Sequence, residues 1–415
     1  MMALLQAAVA IEDITPEVGC ALAGYHRPER STGILDPLEL GALTLQVEGS
    51  VLVWITVDNI GFLVSETSPI RNAIAQLCKT DISHVMISFS HTHAGPAVDA
   101  SCLRLVMGKA IAAVRKCLAS LQPASIGRGV TSADASVNRR AAGTSKAYIG
   151  RSLEGPVDSR VGILRIDGSG GRPRAILVRY STHGTVLRGD NLLVSTDWPG
   201  AVRGALRKVL GIPVLIANGS AGDSNPRWRG SPHDLTRIAD AVASPVLASV
   251  ESIKTSAGAR IAAMSETIAL EFQNLPDPVS ADQLATEAES QWGASAGRWR
   301  AEVATRWSAG QRTVQLPVEV QVAQIGEVCV AGVPMETFTI QALEFASQSP
   351  VCTAFLNGYT NGWIGYLPGD EDLLYGGYEV LWAPVIYGVD SGWLTPAKPG
   401  MGRRVVETAA RLASR

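Results

Sequence analysis

The sequence predicts an α/β fold, with a large mixed β-sheet as its core and helices flanking that sheet. Apolar runs bounded by turn residues recur along the chain, and amphipathic helical patterns lie between them. Glycine is frequent, at 41 of 415 residues, where average usage is about 7 %. Alternating strand and helix patterns are typical of α/β proteins, and the glycine surplus indicates many tight turns.

The elements can be taken in chain order. The first ten residues faintly resemble a signal peptide but lack its basic start, and we interpret them as the opening strand. The predicted strands are apolar runs, several of them buried on both faces: Val51–Val57, His84–Ser90, Arg160–Ile166, Ala175–Tyr180, Val214–Ala217 and Glu319–Val330. The predicted helices have apolar residues at helical spacing: Ser68–Cys78, Leu103–Leu121, Trp198–Val209, Asp234–Ser252 and Gly402–Ala413.

The interval from about residue 277 to 310 differs from the rest of the chain. It is rich in Ala, Glu, Trp and Arg and has helical spacing, which predicts a helical excursion over the core that could act as a lid. No internal repeat or low-complexity linker marks a boundary. Residues 1–415 are therefore expected to form a single domain.

Composition excludes several classes of protein. Lys plus Arg is 36 and Asp plus Glu is 38, so the net charge of −2 offers no footprint for nucleic acid or anionic lipid. No apolar run reaches the roughly 18 residues of a transmembrane segment. The six cysteines lie far apart, without a CxxC pair, which argues against a zinc finger or a disulfide framework. We expect a cytoplasmic protein without a nucleic-acid partner; its oligomeric state is left open.

Two of the six histidines, His91 and His93, lie in one Ser-His-Thr-His-Ala-Gly-Pro string directly after a predicted strand. Residues two apart on an extended chain point to the same face, so both imidazoles could serve one site. Ligands of α/β sheets collect beyond the carboxyl ends of strands, and neutral imidazole suits zinc. The pair indicates a metal or catalytic site, with two ordinary polar loop residues as the alternative.

Two further strings also follow predicted strands. His183 comes after Ala175–Tyr180, where a lone histidine is either a structural hydrogen-bonding residue or part of the site. Asp223 lies in a Gly-Asp-Ser-Asn-Pro string after Val214–Ala217. Its carboxylate could orient a histidine or bind a cation. The same residue types could equally form a plain turn.

A glutamate and a group of tyrosines complete the candidates. Glu336, in a Pro-Met-Glu-Thr string, is predicted to lie in the first turn of a helix, where the helix dipole alone would favour it. It is also a suitable third metal ligand, because hydrolytic zinc sites often combine histidines with one carboxylate. Four of the eight tyrosines lie between residues 359 and 378, in a Gly-rich stretch that indicates a substrate-binding loop or a packed loop.

Taken in order, these strings resemble the catalytic region of the neutral/alkaline (non-lysosomal) ceramidase family. That family has T-H-T-H-S-G-P-like, V-H-G, G-D-x-x-P, P-x-E-x-T and Y-x-T-T-P-E-E-Y…Y-E strings. Each has a counterpart here, and Tyr366 and Tyr378 are twelve residues apart, as in the family. Asp13-Ile-Thr-Pro16 and Asn138-Arg139 are lesser matches. The resemblance runs from about residue 7 to the end of the chain.

The resemblance implies a metal centre with one zinc ion per chain. In the family, two histidines, a glutamate and a tyrosine hold the metal. The matching positions of this sequence are His91, His183, Glu336 and Tyr366. Zinc can lower the pKa of a bound water to about 7, which provides a hydroxide nucleophile at neutral pH.

The resemblance also implies roles for the residues around the metal. His93 would pass a proton to the leaving nitrogen, and Tyr378 and Arg139 would line the substrate and oxyanion side. Asp223 and Asp197 would fix histidine tautomers, although Asp197 could instead cap a helix. The family reaction is hydrolysis of the amide bond that joins a fatty acid to a sphingoid base.

Departures from the family pattern bear on the substrate. The T-T-P-E-E-Y core is replaced by Leu-Pro-Gly-Asp-Glu-Asp, and Asn225 stands where the family has a serine. The family's C-terminal immunoglobulin-like domain has no counterpart, so a single catalytic domain is expected. The sequence thus predicts a zinc-dependent hydrolase that cleaves an N-acyl amide, either small or lipid-like. A zinc hydrolase of a small soluble amide or ester is the first alternative, and a non-catalytic metal- or ligand-binding protein is the second.

Overall fold

The computed structural model describes residues 4–143 and 146–415, so residues 1–3 of the predicted opening strand lie outside it. The strands are β1 Gln6–Asp13, β2 Gly33–Ile34, β3 Glu39–Val47, β4 Ser50–Val57, β5 Val85–Phe89, β6 Gln122–Ser132, β7 Ser136–Ala141, β8 Tyr148–Ser152, β9 Arg160–Gly168, β10 Pro173–Tyr180, β11 Leu193–Val194, β12 Val214–Asn218, β13 Ser224–Pro226, β14 Ile261–Glu271, β15 Gln315–Ile325, β16 Val328–Gly332, β17 Glu336–Thr337, β18 Thr353–Asn357 and β19 Tyr366–Leu367.

Helices alternate with these strands, as expected for an α/β protein. They are α1 Val64–Cys78, α2 Ala100–Ala119, α3 Trp198–Leu210, α4 Pro232–Val250, α5 Pro278–Trp292, α6 Gly297–Ser308, α7 Thr339–Gln348, α8 Asp370–Leu374, α9 Ala383–Tyr387 and α10 Met401–Ala413. A π-helical turn, Tyr378–Trp382, precedes α9. Among the helices of the described residues, none is both long and apolar enough to cross a membrane.

A mixed eight-stranded sheet forms the centre of the molecule, which confirms the predicted fold class. Its order is β12-β10-β9-β6-β1-β3-β4-β5. The pairs at the two edges, β4 with β5 and β10 with β12, are parallel, and the inner pairs are antiparallel. A second sheet, β14-β15-β16-β18, ends in the parallel pair β16 with β18.

The two sheets pack face to face, with helices on the outer faces. Alternation along β4 shows this layering. Val53 and Ile55 face α1 and α2, whereas Leu52 and Trp54 face the second sheet and meet Phe355 and its neighbours. Helices α3 and α4 cover β9, β10 and β12, and helices α5, α6, α7, α9 and α10 cover the outer face of the second sheet. Both faces of β4 are buried, and this explains why its apolar residues form a continuous run instead of alternating with polar ones.

The structure corrects two boundaries predicted from the sequence. The run Glu319–Val330 is not one strand, because Gly326 and Glu327 form a turn that joins β15 to β16 as an antiparallel hairpin. Glu336 does not start a helix. It lies in the short strand β17, and α7 begins three residues later at Thr339. The predicted excursion at 277–310 is helical and consists of α5 and α6.

The eight-stranded sheet curls until its edge strands approach each other. Asn218, the last residue of β12, donates from Nδ2 to the carbonyl oxygen of Ser90, just beyond β5, at 3.2 Å. The carboxyl ends of β5, β10 and β12 therefore meet. The adjoining sheet adds the loop after β16. Ligand sites of α/β proteins form at such strand ends.

Candidate metal centre

Three loops at strand ends supply the predicted histidines and Glu336. His91 and His93 follow β5, His183 follows β10, and Glu336 follows β16. Strand β17 pairs in parallel with β19, which places Glu336 directly beside Tyr366. These predicted ligands are far apart in sequence, and the topology brings them together.

The three histidines point their Nε2 atoms at one another. His91 Nε2 lies 3.1 Å from His183 Nε2 and 3.3 Å from His93 Nε2. The ligand atoms of all three lie within 4.8 Å of one another, so the group could hold a metal ion. His91 and His183 are buried, and His93 is half-buried.

The tautomer of each histidine follows from its other ring nitrogen. Nδ1 of His91 lies 2.6 Å from the carbonyl oxygen of Ile60, Nδ1 of His93 lies 3.0 Å from that of Gly24, and Nδ1 of His183 lies 3.0 Å from that of Ala221. A carbonyl oxygen only accepts, so each Nδ1 carries the proton. Each Nε2 of a neutral ring therefore presents a lone pair to the others.

Burial keeps these rings neutral. Desolvation lowers the pKa of His91, and the carboxylate of Glu336 opposes that shift. Desolvation lowers the pKa of His93 and His183 well below the usual histidine value, and the nearby Arg139 acts in the same direction. Converging lone pairs without a proton between them repel one another. A cation at their centre would relieve that repulsion, so these residues could hold a metal ion.

The backbone at Gly184 and at Gly24 lies very close to the loop of His91 and His93, and this packing holds the imidazole rings together. His91 has a φ of 58°, in the left-handed region, so the two histidines do not lie on an extended strand as the sequence argument assumed. A Cβ at Gly184 would lie 2.2 Å from the carbonyl oxygen of His91, and one at Gly24 would lie 2.4 Å from the ring of His93. Only glycine fits at both positions.

Two aromatic residues outside the predicted set of site residues orient Glu336. Its Oε2 lies 3.4 Å from His91 Nε2 and 3.8 Å from His183 Nε2. Tyr359 donates its hydroxyl to Oε2 at 3.2 Å, and Trp363 donates Nε1 to Oε1 at 2.9 Å. The ring of Tyr359 also stacks on that of His91, with centroids 4.2 Å apart. Their positions in the Gly-rich stretch were the only signal in the sequence.

A buried ion network supports Tyr366. Arg139 donates from Nη2 to the Tyr366 hydroxyl at 3.0 Å and from Nε to Glu379 at 2.8 Å. Arg140 donates to the other oxygen of Glu379 at 2.6 Å. The predicted residue Arg139 thus contacts a predicted ligand, whereas Arg140 and Glu379 were missed. Burial raises the pKa of Tyr366, and Arg139 opposes this shift.

A cavity of about 220 Å³ opens above the centre. His91, His93, Glu336, Tyr366 and Tyr378 line it, together with Trp363, Tyr387 and the backbone around Gly24 and Gly61. Burial raises the pKa of Tyr378, so its phenol is protonated and can donate a hydrogen bond. The ring of Trp292, at the end of α5, packs against Tyr378 with centroids 4.5 Å apart.

The prediction that Asp223 fixes a histidine tautomer is wrong, because the backbone carbonyls of Ile60, Gly24 and Ala221 hold the Nδ1 atoms instead. Its carboxylate accepts from the backbone N–H and hydroxyl of Thr339, both at 2.8 Å, and from Asn138 at 3.0 Å. Burial raises its pKa to about 7. Asp223 therefore ties the start of α7 to β7 and is a positioning residue.

Asp197 caps a helix, as its alternative interpretation held. Its carboxylate accepts from the backbone N–H of Trp198 at the start of α3, and from Val186 and Leu187 just beyond His183. Burial raises its pKa to about 6. It supports the loop that carries His183 without contacting the imidazole through any hydrogen bond found in the described residues.

Two solved ceramidases have similar structures. The neutral ceramidase from Pseudomonas aeruginosa is 13 % identical and matches 99 % of this chain and 74 % of that chain, with a TM-score of 0.72. A ceramidase complexed with C2 is 14 % identical and matches 99 % of this chain and 75 % of that one, with a TM-score of 0.74. No protein-family model and no curated protein sequence matches this chain. At such low identities the likeness is one of fold, and the resemblance predicted from the motifs is confirmed at that level: the chain has the fold of the neutral ceramidases.

Proposed function

We propose that this protein is a zinc-dependent hydrolase that cleaves the amide bond of an N-acyl substrate. One observation carries the proposal: three unprotonated imidazole nitrogens and the Glu336 carboxylate converge at the base of a cavity. The fold shared with ceramidases supports the choice of an amide bond.

The residues that would hold the metal are His91, His183, Glu336 and Tyr366. Two imidazoles with one carboxylate and one phenol form a donor set of nitrogen and oxygen ligands that suits zinc. A bound zinc ion would polarise the substrate carbonyl and lower the pKa of a water to about 7.

The surrounding side chains supply the proton transfers and charge stabilisation. His93 is held through Nδ1 by the Gly24 carbonyl, so its Nε2 is free to take a proton from the attacking water and give it to the leaving nitrogen. Tyr378 donates its hydroxyl to the carbonyl oxygen as negative charge develops there. Arg139 stabilises negative charge on Tyr366 through their hydrogen bond.

The shape of the site bears on the substrate. The cavity of about 220 Å³ is smaller than a typical ligand pocket of about 300–1,000 Å³. A groove of about 510 Å³, here called the side groove, shares Gly61, Trp363 and Tyr387 with it. Leu63, Val98, Ile386 and Val389 line the side groove. Glu66, Arg298 and Asp390 also line the side groove, so its lining is mixed. The apolar part of that lining favours a substrate whose acyl chain extends beyond the cavity.

A hydrolase of a small soluble amide or ester is the second candidate, favoured by the size of the cavity alone. The expected cytoplasmic location and the single-domain organisation stay predictions.

A panel of N-acyl amides with acyl chains of different length tests the proposal, together with elemental analysis of protein purified without added metal. We expect close to one equivalent of zinc, amide cleavage that a chelator abolishes, and higher activity on longer chains. His91→Ala and His183→Ala should lose most of the zinc. A zinc content unchanged in both variants would overturn the metal assignment. Cleavage of acetyl amides alone would select the second candidate.

A further inference from the structure

Five arginines surround a second cavity, of about 380 Å³, that the proposed reaction does not use. We define this arginine pocket by Arg151, Arg188, Arg227, Arg229 and Arg237. In a chain with a net charge of −2, such a concentration of positive charge is local and needs an explanation. Asp234 is the one acidic residue in the described lining.

The positive charge of this pocket is only partly neutralised. Arg237 pairs with Asp234 at 3.3 Å, and Arg227 pairs with Asp134. Within the described residues, Arg151, Arg188 and Arg229 have no carboxylate partner in the salt bridges of the chain. The buried Nε of Arg227 also lacks a hydrogen-bond acceptor. An unpartnered buried donor indicates a ligand that accepts hydrogen bonds.

The pocket adjoins the metal centre. Arg229 donates to the carbonyl oxygen of Thr185, two residues beyond His183, at 3.1 Å, and to the hydroxyl of Tyr25 at 3.2 Å. The ring of Tyr25 in turn meets that of His93, with centroids 5.0 Å apart. One aromatic side chain therefore separates the arginine pocket from the histidine proposed to protonate the leaving group.

A departure from the family motif lies in the same place. Asn225, which stands where the family has a serine, lines the arginine pocket and accepts from the hydroxyl of Thr185 at 3.3 Å. The guanidinium of Arg237 lies over the ring of Trp228, which also lines the pocket, 4.6 Å from the ring centroid. The pocket thus has a polar and aromatic wall in addition to its charge.

We propose that the arginine pocket binds an oxyanion group, a carboxylate, phosphate or sulfate, next to the metal centre. Arginine forks match such planar or tetrahedral oxygen groups. Arg227 and Arg229 are half-buried, which strengthens the charge-assisted hydrogen bonds that they can donate, and the exposed Arg151 and Arg188 add positive charge at the rim. The group could be carried by the amine half of an N-acyl substrate, which rests on the proposed function, or by a free ion. Both sources share the same recognition chemistry.

Titration calorimetry with inorganic phosphate at constant ionic strength tests the site itself. Wild-type protein with its metal should bind phosphate, and Arg151→Gln and Arg188→Gln should each weaken binding by about tenfold or more. Arg403→Gln, a change at an exposed position on α10, is the matched control and should bind as the wild type does. Binding that is absent, or equal in all four proteins, would overturn the proposal.

A second measurement identifies the source of the group. An N-acyl glycine and the corresponding uncharged N-acyl glycinamide differ only in the carboxylate. If the wild type has a higher kcat/KM for the N-acyl glycine than for the N-acyl glycinamide, and Arg188→Gln removes this preference, the site is assigned to the substrate. Equal kcat/KM values with arginine-dependent phosphate binding assign it to a free ion. Loss of the proposed amide hydrolysis altogether would leave the phosphate result intact, so the two proposals fail separately.

Discussion

At the scale of single residues, the candidate metal centre depends on hydrogen bonds that its histidines make on the side facing away from it. The carbonyl oxygens of Gly24, Ile60 and Ala221 fix the Nδ1 protons of His93, His91 and His183. Such contacts turn all three lone pairs inward and prepare the site before any ion binds. Because they are backbone contacts from distant loops, no residue type in the sequence could have revealed them.

The Nε2 atom of His93 lies 3.3 Å from that of His91, only slightly farther than the Nε2 atom of His183 at 3.1 Å, so experiment must distinguish a catalytic role from a ligand role. We expect His93→Ala to keep most of the metal and to lose activity about 100-fold, the usual scale of acid–base catalysis. Zinc content from elemental analysis and kcat, both measured on one preparation, would check the retained metal and the lost activity. Joint loss of metal and activity would show that His93 is a ligand.

Tyr359 offers a test of how Glu336 is held. Tyr359→Phe keeps the ring stacked on His91 and removes only the hydrogen bond to Glu336. Outer partners of metal ligands typically contribute about tenfold or more in metal affinity. We therefore expect about tenfold weaker zinc retention in a chelator titration. Tyr148→Phe, at an exposed position, is the control, and equal retention in both variants would contradict the role of Tyr359.

The two tyrosines of the last motif are expected to act differently. Tyr378→Phe should leave zinc content and KM nearly intact and lower kcat about 100-fold, because its hydrogen bond forms mainly in the transition state. Tyr366→Phe should instead weaken zinc retention against a chelator. Wild-type turnover and wild-type zinc content in both variants would contradict both assignments.

At the scale of elements, the sequence predicted strands and helices best where periodicity is strong. Helices α2, α3, α4 and α10 were located within a few residues, and β4 was placed correctly. The β15–β16 hairpin was missed because its turn consists of only two residues, Gly326 and Glu327, with apolar strand residues directly on both sides. The run therefore looks like one strand. Glu336 was placed in a helix because Pro334 imitates a helix start, whereas pairing with Tyr366 makes it a strand.

Ion pairs join strand β7 to the π-helical turn, and their contribution to the stability of the protein can be measured. Glu379 is 2 % exposed and pairs with both Arg139 and Arg140, and Arg140 also pairs with Asp372. Removing one partner from a buried ion network leaves uncompensated charge. Glu379→Gln should therefore lower the free energy of unfolding by about 3–5 kcal/mol, measured by denaturant titration.

The control for that change is Glu327→Gln, which breaks a pair between Arg128 and a 77 % exposed Glu327 side chain. An exposed pair contributes about 0–1 kcal/mol, so this variant should unfold nearly as the wild type does. Equal stability losses in the two variants would contradict a structural role for the buried network.

At the scale of the whole molecule, the two sheets and the helical excursion surround the candidate metal centre. The eight-stranded sheet supplies the histidines, the second sheet supplies Glu336, and the excursion contributes Trp292 over Tyr378 and Trp299 to the side groove. The family motifs predicted which residues meet. The side groove could not be predicted, because its lining comes from segments that are distant in sequence and carry ordinary apolar and charged residues.

The side groove predicts how activity depends on acyl length. Val98 lines it but does not line the cavity at the metal centre. Val98→Trp should fill the side groove, exclude a long acyl chain and leave room for an acetyl group in the cavity. We expect kcat/KM for a long-chain N-acyl amide to fall by about tenfold or more, with that for the acetyl amide nearly unchanged. Val209→Trp, at a 66 % exposed position on α3, controls for the added indole and should change neither value. An equal fall for both substrates in Val98→Trp would mean that the change disturbs the centre itself, and an unchanged long-chain value would show that the acyl chain lies elsewhere.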